Sequence, residues 1–455
     1  MVDLSKTGSF ICLLMIVVSI QALNITVVGT GYVGLVTAAG LAELGHNVIG
    51  VDIDQAKIQA LQQGIIPIFE PDLSDLVIKS NRAGYLVFTT DIQQAVENAS
   101  VIFVAVGTPM AEDGSADLSA LYAVVDSIVR YLNGPKIICI KSTVPIGTCA
   151  NVQSMIEARN LTYKITIVSN PEFLREGSAV RDFFNPDRIV IGCNQAAGFT
   201  VMKQVYQRFA DSNIPFLYTN TASSETIKYA SNAFLALKIS YINEMAQLCE
   251  RTGANIMQVA SGMGLDKRIS PHFLQAGPGF GGSCFPKDVM ALLKKSEEMG
   301  VPLKTVITTL SVNEQQKNWI IQKISTLLDN KVQGKTIGIL GLAFKANTDD
   351  IRESPAVAII QKLLPYGATI QAFDPQAIEN TRKVLPSIQY MESIGEVATD
   401  ADILIILTEW QQFKTLPIEQ LKKVMKKPCI LDARNILDAA VLRAHGFVVD
   451  NIGNA

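Results

Sequence analysis

Residues 25–52 constrain this chain more than any other segment. Four strand-forming residues, Ile25, Thr26, Val27 and Val28, run into Gly29-Thr30-Gly31-Tyr32-Val33-Gly34. An apolar helical stretch follows to Leu44 and Gly45, and a second run, Val48-Ile49-Gly50-Val51, ends at Asp52. Strand, glycine turn, helix and strand in this order form the βαβ unit that holds a dinucleotide. Gly29 permits the tight turn, Gly31 lets backbone N–H groups approach a pyrophosphate at the helix N-terminus, and Gly34 lets the helix pack on the strand. Asp52 is placed to accept hydrogen bonds from the adenosine ribose hydroxyls. Its charge repels a 2′-phosphate, so NAD is expected rather than NADP.

Further strands end in polar groups. Residues 101–106 run into Gly107-Thr108-Pro109, residues 137–140 into Lys141-Ser142-Thr143-Val144-Pro145, and residues 165–168 into Asn170-Pro171-Glu172. In an open parallel sheet the carboxyl ends of the strands border the ligand crevice, which makes Thr108 and Thr143 candidates for cofactor contact. If Pro171 opens a helical turn, Glu172 and Glu176 stand four apart on one face of it.

Residues 223–252 carry the longest helical pattern, with a capping start at Ser223-Ser224-Glu225-Thr226 and a stop at Gly253. Lys228 and Asn232 lie on one face; Ile227, Ala230, Phe234 and Tyr241 make a second apolar stripe. A helix apolar on two sides is expected to be buried between domains, so Lys228 and Asn232 need interior partners. A second long helix is expected over 302–330. Strand-helix-strand units then resume, with strands at 335–340, 369–373, 403–407 and 429–431, and the loop after the first of these carries Lys345 and Arg352 for an anionic ligand. The expected fold is α/β: two doubly wound Rossmann-like domains joined by a central helical region with a long helix. The expected boundaries are an extension at 1–22, a nucleotide domain at 23–210, a helical region at 211–330 and a last domain at 331–455.

Gly277-Pro278-Gly279-Phe280-Gly281-Gly282-Ser283-Cys284 delivers a thiol to the start of a helix, with Pro286 and Asp288 in its first turn and Lys287 nearby. The helix dipole and the lysine are both expected to lower the thiol pKa and favour the thiolate.

The bulk properties remove several alternatives. A chain of 455 residues exceeds one compact core, so two or three domains are expected. A net charge of −3 and a pI near 5.8 leave no basic footprint for nucleic acid. The cysteines at 12, 139, 149, 193, 249, 284 and 429 form no CxxC pair, which argues against a disulfide framework and a zinc site and fits a reducing cytoplasm. The three histidines, at 46, 272 and 445, have no ligand spacing, so no metal is expected. Lys6 followed by the apolar run at 10–20 resembles a short signal segment, but it is too short for a stable membrane span and is expected to be a non-core appendage.

Six stretches carry a resemblance: GTGYVGL at 29–35, STVPIGT at 142–148, NPEFLREGSA at 170–179, IKYASNAFLALKISYINE at 227–244, GPGFGGSCFPKD at 277–288 and GLAFKANTDDIRESP at 341–355. Together they resemble the UDP-glucose 6-dehydrogenase family of nucleotide-sugar dehydrogenases, over nearly all of the chain after residue 23. The resemblance implies an N-terminal NAD domain, a central helical region forming a homodimer core and a C-terminal domain holding the UDP part. It implies oxidation of UDP-glucose at C6 to UDP-glucuronate, with two NAD reduced and one water consumed. Cys284 would add to the intermediate aldehyde as a thiohemiacetal and then carry a thioester. Lys228 and Asn232 would stabilise the oxyanions, and Asp288, with Thr143 and Glu172 through an ordered water, would handle protons. By motif, Val33, Asp52, Lys57, Thr108, Thr143, Glu176, Lys287 and Arg352 are expected at NAD. Glu172, Phe173, Leu174, Arg175, Glu176, Lys228, Asn232, Phe273, Leu274, Gln275, Ala276, Gly277, Gly281 and Lys345 are expected at the sugar nucleotide. Three rivals remain: relatives acting on GDP-mannose or UDP-N-acetylmannosamine, a non-catalytic binder that should have lost the Cys284, Lys228, Asn232 and Asp288 set, and a two-electron hydroxyacid dehydrogenase that needs no thiol.

Overall fold

The computed structural model describes residues 22–454, so the apolar run at 10–20 lies outside the described residues. Eight strands form the first sheet: β1 (Asn24–Val28), β2 (Asn47–Val51), β3 (Leu86–Thr89), β4 (Val101–Val104), β5 (Lys136–Ile140), β6 (Ile165–Ser169), β7 (Ile189–Cys193) and β8 (Phe216–Thr219). Their spatial order is β3-β2-β1-β4-β5-β6-β7-β8. All neighbours are parallel except β6 and β7. Every residue of β4, β5, β6 and β7 is buried, as expected where helices cover both faces of a parallel sheet. The strand order reverses between β1 and β4, and there the carboxyl ends open a crevice. The glycine fingerprint sits at that point. A Cβ on Gly34 would stand 1.8 Å from the Gly29 carbonyl oxygen, so only glycine lets the helix Tyr32–Glu43 lie this close to the turn. Strands β3, β7 and β8 have no counterpart among the expected strands. β8 lies in the segment expected to open the helical region, and its partly exposed face gives no buried apolar run to read.

The second sheet holds β9 (Thr336–Leu340), β10 (Thr369–Phe373), β11 (Gln389–Tyr390), β12 (Ile403–Ile406), β13 (Cys429–Asp432) and β14 (Val448–Asn451). All are parallel, in the order β11-β10-β9-β12-β13-β14, which repeats the order of the first six strands of the other sheet. Asp374 follows β10 as Asp52 follows β2, but its fate differs. Its buried carboxylate accepts hydrogen bonds from the backbone N–H groups of Leu342 (2.8 Å), Ala343 (3.0 Å), Gln376 (2.9 Å) and Ala377 (2.8 Å), and from the Trp410 indole (3.0 Å).

A spine helix, Thr221–Thr252, joins the two halves. Its N-cap is Asn220, whose side chain accepts the Ser223 N–H; the serines expected to cap it lie one turn inside. Gly253, at φ +75°, ends it. The helices Phe285–Glu298 and Lys304–Leu327 pack along it. They cover one flank only, so the second apolar stripe is not buried within the chain as expected: Phe234 is 62% exposed and Tyr241 44%. The far end is tied to the second sheet by Lys323, which bridges Glu250 (2.8 Å) and Asp450 (3.0 Å). Among the described residues no helix is long and apolar enough to cross a membrane.

Candidate active site

The carboxyl ends of β1, β2, β4, β5 and β6 bring the nucleotide candidates to one edge. At the N-terminus of the fingerprint helix, a Cβ on Gly31 would meet nothing within 4 Å, leaving space for a phosphate beside unpaired N–H groups. Asp52 accepts from the Thr30 N–H (2.9 Å) and hydroxyl (2.8 Å) and pairs with Lys57 at 3.0 Å. Partial burial opposes its charge, but these bonds hold its pKa below the usual carboxylate range, so it stays an acceptor for ribose hydroxyls. Across the switch point, the Thr108 hydroxyl donates to the Thr143 carbonyl at 2.8 Å, joining the two strand-end turns. Val33, in the first turn of the fingerprint helix, is half-buried. This donor set fits NAD.

Deeper in, two buried pairs lie within electrostatic reach of the thiol. Glu172 Oε1 accepts from Lys228 Nζ at 2.9 Å, and Asp288 Oδ2 accepts from Asn232 Nδ2 at 2.7 Å, while Lys287 reaches Asp288 Oδ1 at 2.5 Å. Lys228 and Asn232 are buried, as their face of the helix requires. Burial opposes the Lys228 charge, but Glu172, Cys284 and Asp288 hold its pKa above the usual lysine value. Burial likewise opposes the Glu172 charge, and Lys228, the Leu174 N–H and Lys141 hold its pKa low. Both pairs lie in a buried cluster, where an oxyanion would find fixed donors.

The thiol itself departs from expectation. Cys284 is the N-cap of Phe285–Glu298, with Asp288 in the first turn, yet its pKa is pushed up to about 11. Burial is the main cause, and the carboxylates of Glu172 and Asp288 outweigh Lys228 and Lys287. The helix dipole alone does not decide the matter when two acids share the pocket.

The glycine loop before the thiol is pinned from both long helices. Asn243 Oδ1 accepts the Gly277 N–H (2.8 Å), Gln316 Nε2 donates to the Gly277 carbonyl (2.7 Å), and Asn313 bonds both the N–H (2.8 Å) and the carbonyl (3.0 Å) of Phe280. On its other side the loop lies on the second sheet's first loop: Gly282 N–H donates to the Arg352 carbonyl at 2.9 Å, and a Cβ on Gly281 would stand 2.1 Å from the Glu353 carbonyl oxygen.

The stretch from Pro171 is not a helical turn but an irregular segment, with the next helix beginning at Ala179. Glu172 and Glu176 therefore face different partners. Glu172 meets Lys228, whereas Glu176 accepts from Ser283 (2.7 Å) and faces Arg352 (3.5 Å). Phe173 lies between Arg188, 3.7 Å from its ring centre, and Lys228, at 5.4 Å. Other positions carried over by motif turn their side chains elsewhere. Arg175 forks onto Asp182, Leu174 packs against the first core, and Leu274 and Ala276 belong to the second. Gln275 is exposed, and Phe273, at φ +62°, lies against Phe285. Lys345 lines a cleft with Glu176, Glu409 and Lys414. Ser283, Glu225, Asn243, Asn313 and Gln316 were missed by sequence reasoning. Glu225 accepts the N–H groups of Gly147 (2.6 Å) and Cys149 (2.7 Å), tying the Thr143 turn to the spine helix one turn before Lys228. Its signal was an acid three positions before Lys228 in a helix expected to be buried.

Comparison with known proteins places this geometry. Residues 23–210 match the NAD binding domain of the UDP-glucose/GDP-mannose dehydrogenase family, residues 222–315 its central domain and residues 338–439 its UDP binding domain. The UDP-glucose 6-dehydrogenase of Rhizobium meliloti (strain 1021) is 46% identical over 434 residues, covering 95% of this chain and 99% of that protein. The structure of a UDP-glucose dehydrogenase from Pyrobaculum islandicum superposes with a TM-score of 0.89 at 36% identity, covering 96% of this chain and 99% of that one. A UDP-D-ManNAc dehydrogenase from Pyrococcus horikoshii gives 0.83 at 26% identity, over 94% and 99%.

Proposed function

The chain belongs to the UDP-glucose/GDP-mannose dehydrogenase family, and from that premise we propose its reaction and the part each side chain takes in it. UDP-glucose is oxidised at C6 to UDP-glucuronate, with two NAD+ reduced and one water consumed. NAD+ accepts a hydride in each oxidation. Gly29, Gly31, Val33, Gly34, Asp52, Lys57, Thr108 and Thr143 would hold it at the first sheet's edge, together with Glu176, Lys287 and Arg352. The uridine diphosphate lies towards Lys345 and the second sheet, and Phe173, Gly277 and Gly281 line the sugar's side.

The observation that carries the reading is the convergence of Cys284 with the Lys228–Glu172 and Asn232–Asp288 pairs. Removing two electrons from a primary alcohol needs no nucleophile, but removing four requires the aldehyde to be held as an oxidisable adduct. Cys284 adds to the aldehyde to give a thiohemiacetal and then a thioester, and water releases the acid. Lys228 and Asn232 donate to the oxygen at C6 while it is negative. Asp288, fixed by Asn232 and Lys287, works with Thr143 and Glu172 in moving protons through water.

Two chains associate along the spine helix, where exposed Phe234, Tyr241 and Leu248 form an apolar stripe. The unpaired cysteines and the NAD requirement fit a cytoplasmic location. The deciding experiment counts NADH against UDP-glucose. Two NADH are expected per sugar, and Cys284→Ala should reduce acid formation to background. One NADH per sugar, or an alanine variant of full activity, would overturn the mechanism.

A further inference from the structure

One hydrogen-bonded run beside the thiol has no part in the steps above. Ser283 Oγ donates to Glu176 Oε1 at 2.7 Å and stands 3.6 Å from the Cys284 sulfur. With its own proton committed to the carboxylate, the serine oxygen can only accept from the thiol. The second oxygen of Glu176, Oε2, is buried without a hydrogen-bond partner. The other acids near the sulfur are occupied. Glu172 is bonded by Lys228 and the Leu174 N–H, and Asp288 by Asn232 and Lys287. Glu176 in turn is faced by Asp350, Arg352 and Lys345, and Asp350 is taken up by the Arg352 fork.

We propose that Ser283 and Glu176 form a proton relay that ionises Cys284 as it attacks the aldehyde. Ser283 is the carrier that touches the reacting sulfur and Glu176 the base that takes its proton. The S–C6 bond forms and the carbonyl π pair moves onto oxygen, where Lys228 and Asn232 hold it. The thiol proton passes to Ser283 Oγ, and the serine hydroxyl proton passes to Glu176 Oε1. When water cleaves the thioester, the C–S bond breaks and its electron pair returns to sulfur. The proton then comes back from Glu176 through Ser283, while the two protons of the water leave to solvent and the product departs as carboxylate.

The acidities match this path. Burial and Asp350, against Ser283 and Arg352, push Glu176 up to about 7, a base poised near neutrality, whereas the thiol at about 11 stays protonated without one. The groups that face the sulfur are Glu172, Lys228, Asp288 and Lys287, with Lys345 and Arg352 farther out, and all belong to the resting pocket.

The relay rests on the reaction proposed above, so its test includes an arm that needs no sugar. Alkylation of Cys284 by iodoacetamide, followed by peptide mass spectrometry on the full chain, should slow about tenfold or more near neutral pH in both Ser283→Ala and Glu176→Gln. In wild type the rate should rise with pH through a midpoint near 7, and in both variants that midpoint should move towards the thiol's own higher value. Ser283→Thr keeps the hydroxyl and should restore the wild-type profile. In turnover, Ser283→Ala should lower kcat about tenfold or more while KM for UDP-glucose changes less than about threefold. A folded Ser283→Ala that alkylates at the wild-type rate, or a Ser283→Thr as slow as the alanine variant, overturns the relay. A yield of one NADH per sugar overturns the oxidation scheme instead and leaves the alkylation result standing.

Discussion

Lys228 shows how stability and chemistry divide at a single side chain. It is buried against Glu172, and removing one partner of such a pair leaves an uncompensated charge in a dry pocket. Lys228→Ala should therefore cost about 3–5 kcal/mol, read as a lowered denaturant midpoint. Lys228→Met combined with Glu172→Gln should recover much of that stability, yet stay inactive because no donor faces the oxyanion. If the double variant is no more stable than Lys228→Ala, the pair is not the source of the cost. Lys228 and Asn232 were legible in the sequence because polar residues on a helix that must be buried need partners, and Cys284 and Asp288 because a glycine platform runs into a helix start. The thiol's acidity was not. Local position argued for a lowered pKa, but Glu172 arrives from a strand end 112 residues earlier in the chain, and no local pattern reports that approach.

At the level of elements, the strongly periodic segments were readable and the short, half-exposed ones were not. The fingerprint unit, the spine helix and the strands at β9, β10, β12 and β13 follow from apolar runs bounded by glycine, proline or polar stops. β8 and β11 do not, being short and partly exposed, and β7 went unread although every residue of it is buried. The stretch from Pro171 stays irregular because the Glu172 side chain takes the Leu174 N–H and the Glu70 carboxylate takes those of Gly177 and Ala179. The glycine loop tests the same idea from the other side. Gly281→Ala places a methyl group against the Glu353 carbonyl, and overpacking of this kind costs about 1–3 kcal/mol. The loop should shift the sulfur, so kcat should fall about a hundredfold while NAD still binds, as read by nicotinamide-site fluorescence titration. Unchanged turnover in Gly281→Ala would show that the loop tolerates displacement.

For the molecule as a whole, the spine helix is the member both halves share. Its inner flank carries Lys228 and Asn232, and its outer flank leaves Phe234 and Tyr241 uncovered. Phe234→Glu with Tyr241→Glu should halve the mass seen by light scattering without unfolding the chain; a particle of unchanged mass would place the contact elsewhere. The two-domain layout was legible from repeated strand-helix units, but the matching strand order of the two sheets was not, since the second lacks the glycine fingerprint that marks the first. That symmetry has a further consequence. In one sheet the acid after the second strand stands beside a glycine turn with open space at Gly31, and in the other Asp374 is taken up by four amides and an indole. A duplicated architecture thus carries the glycine fingerprint once, so a reaction that spends two coenzymes would have to exchange one for the next at the same edge.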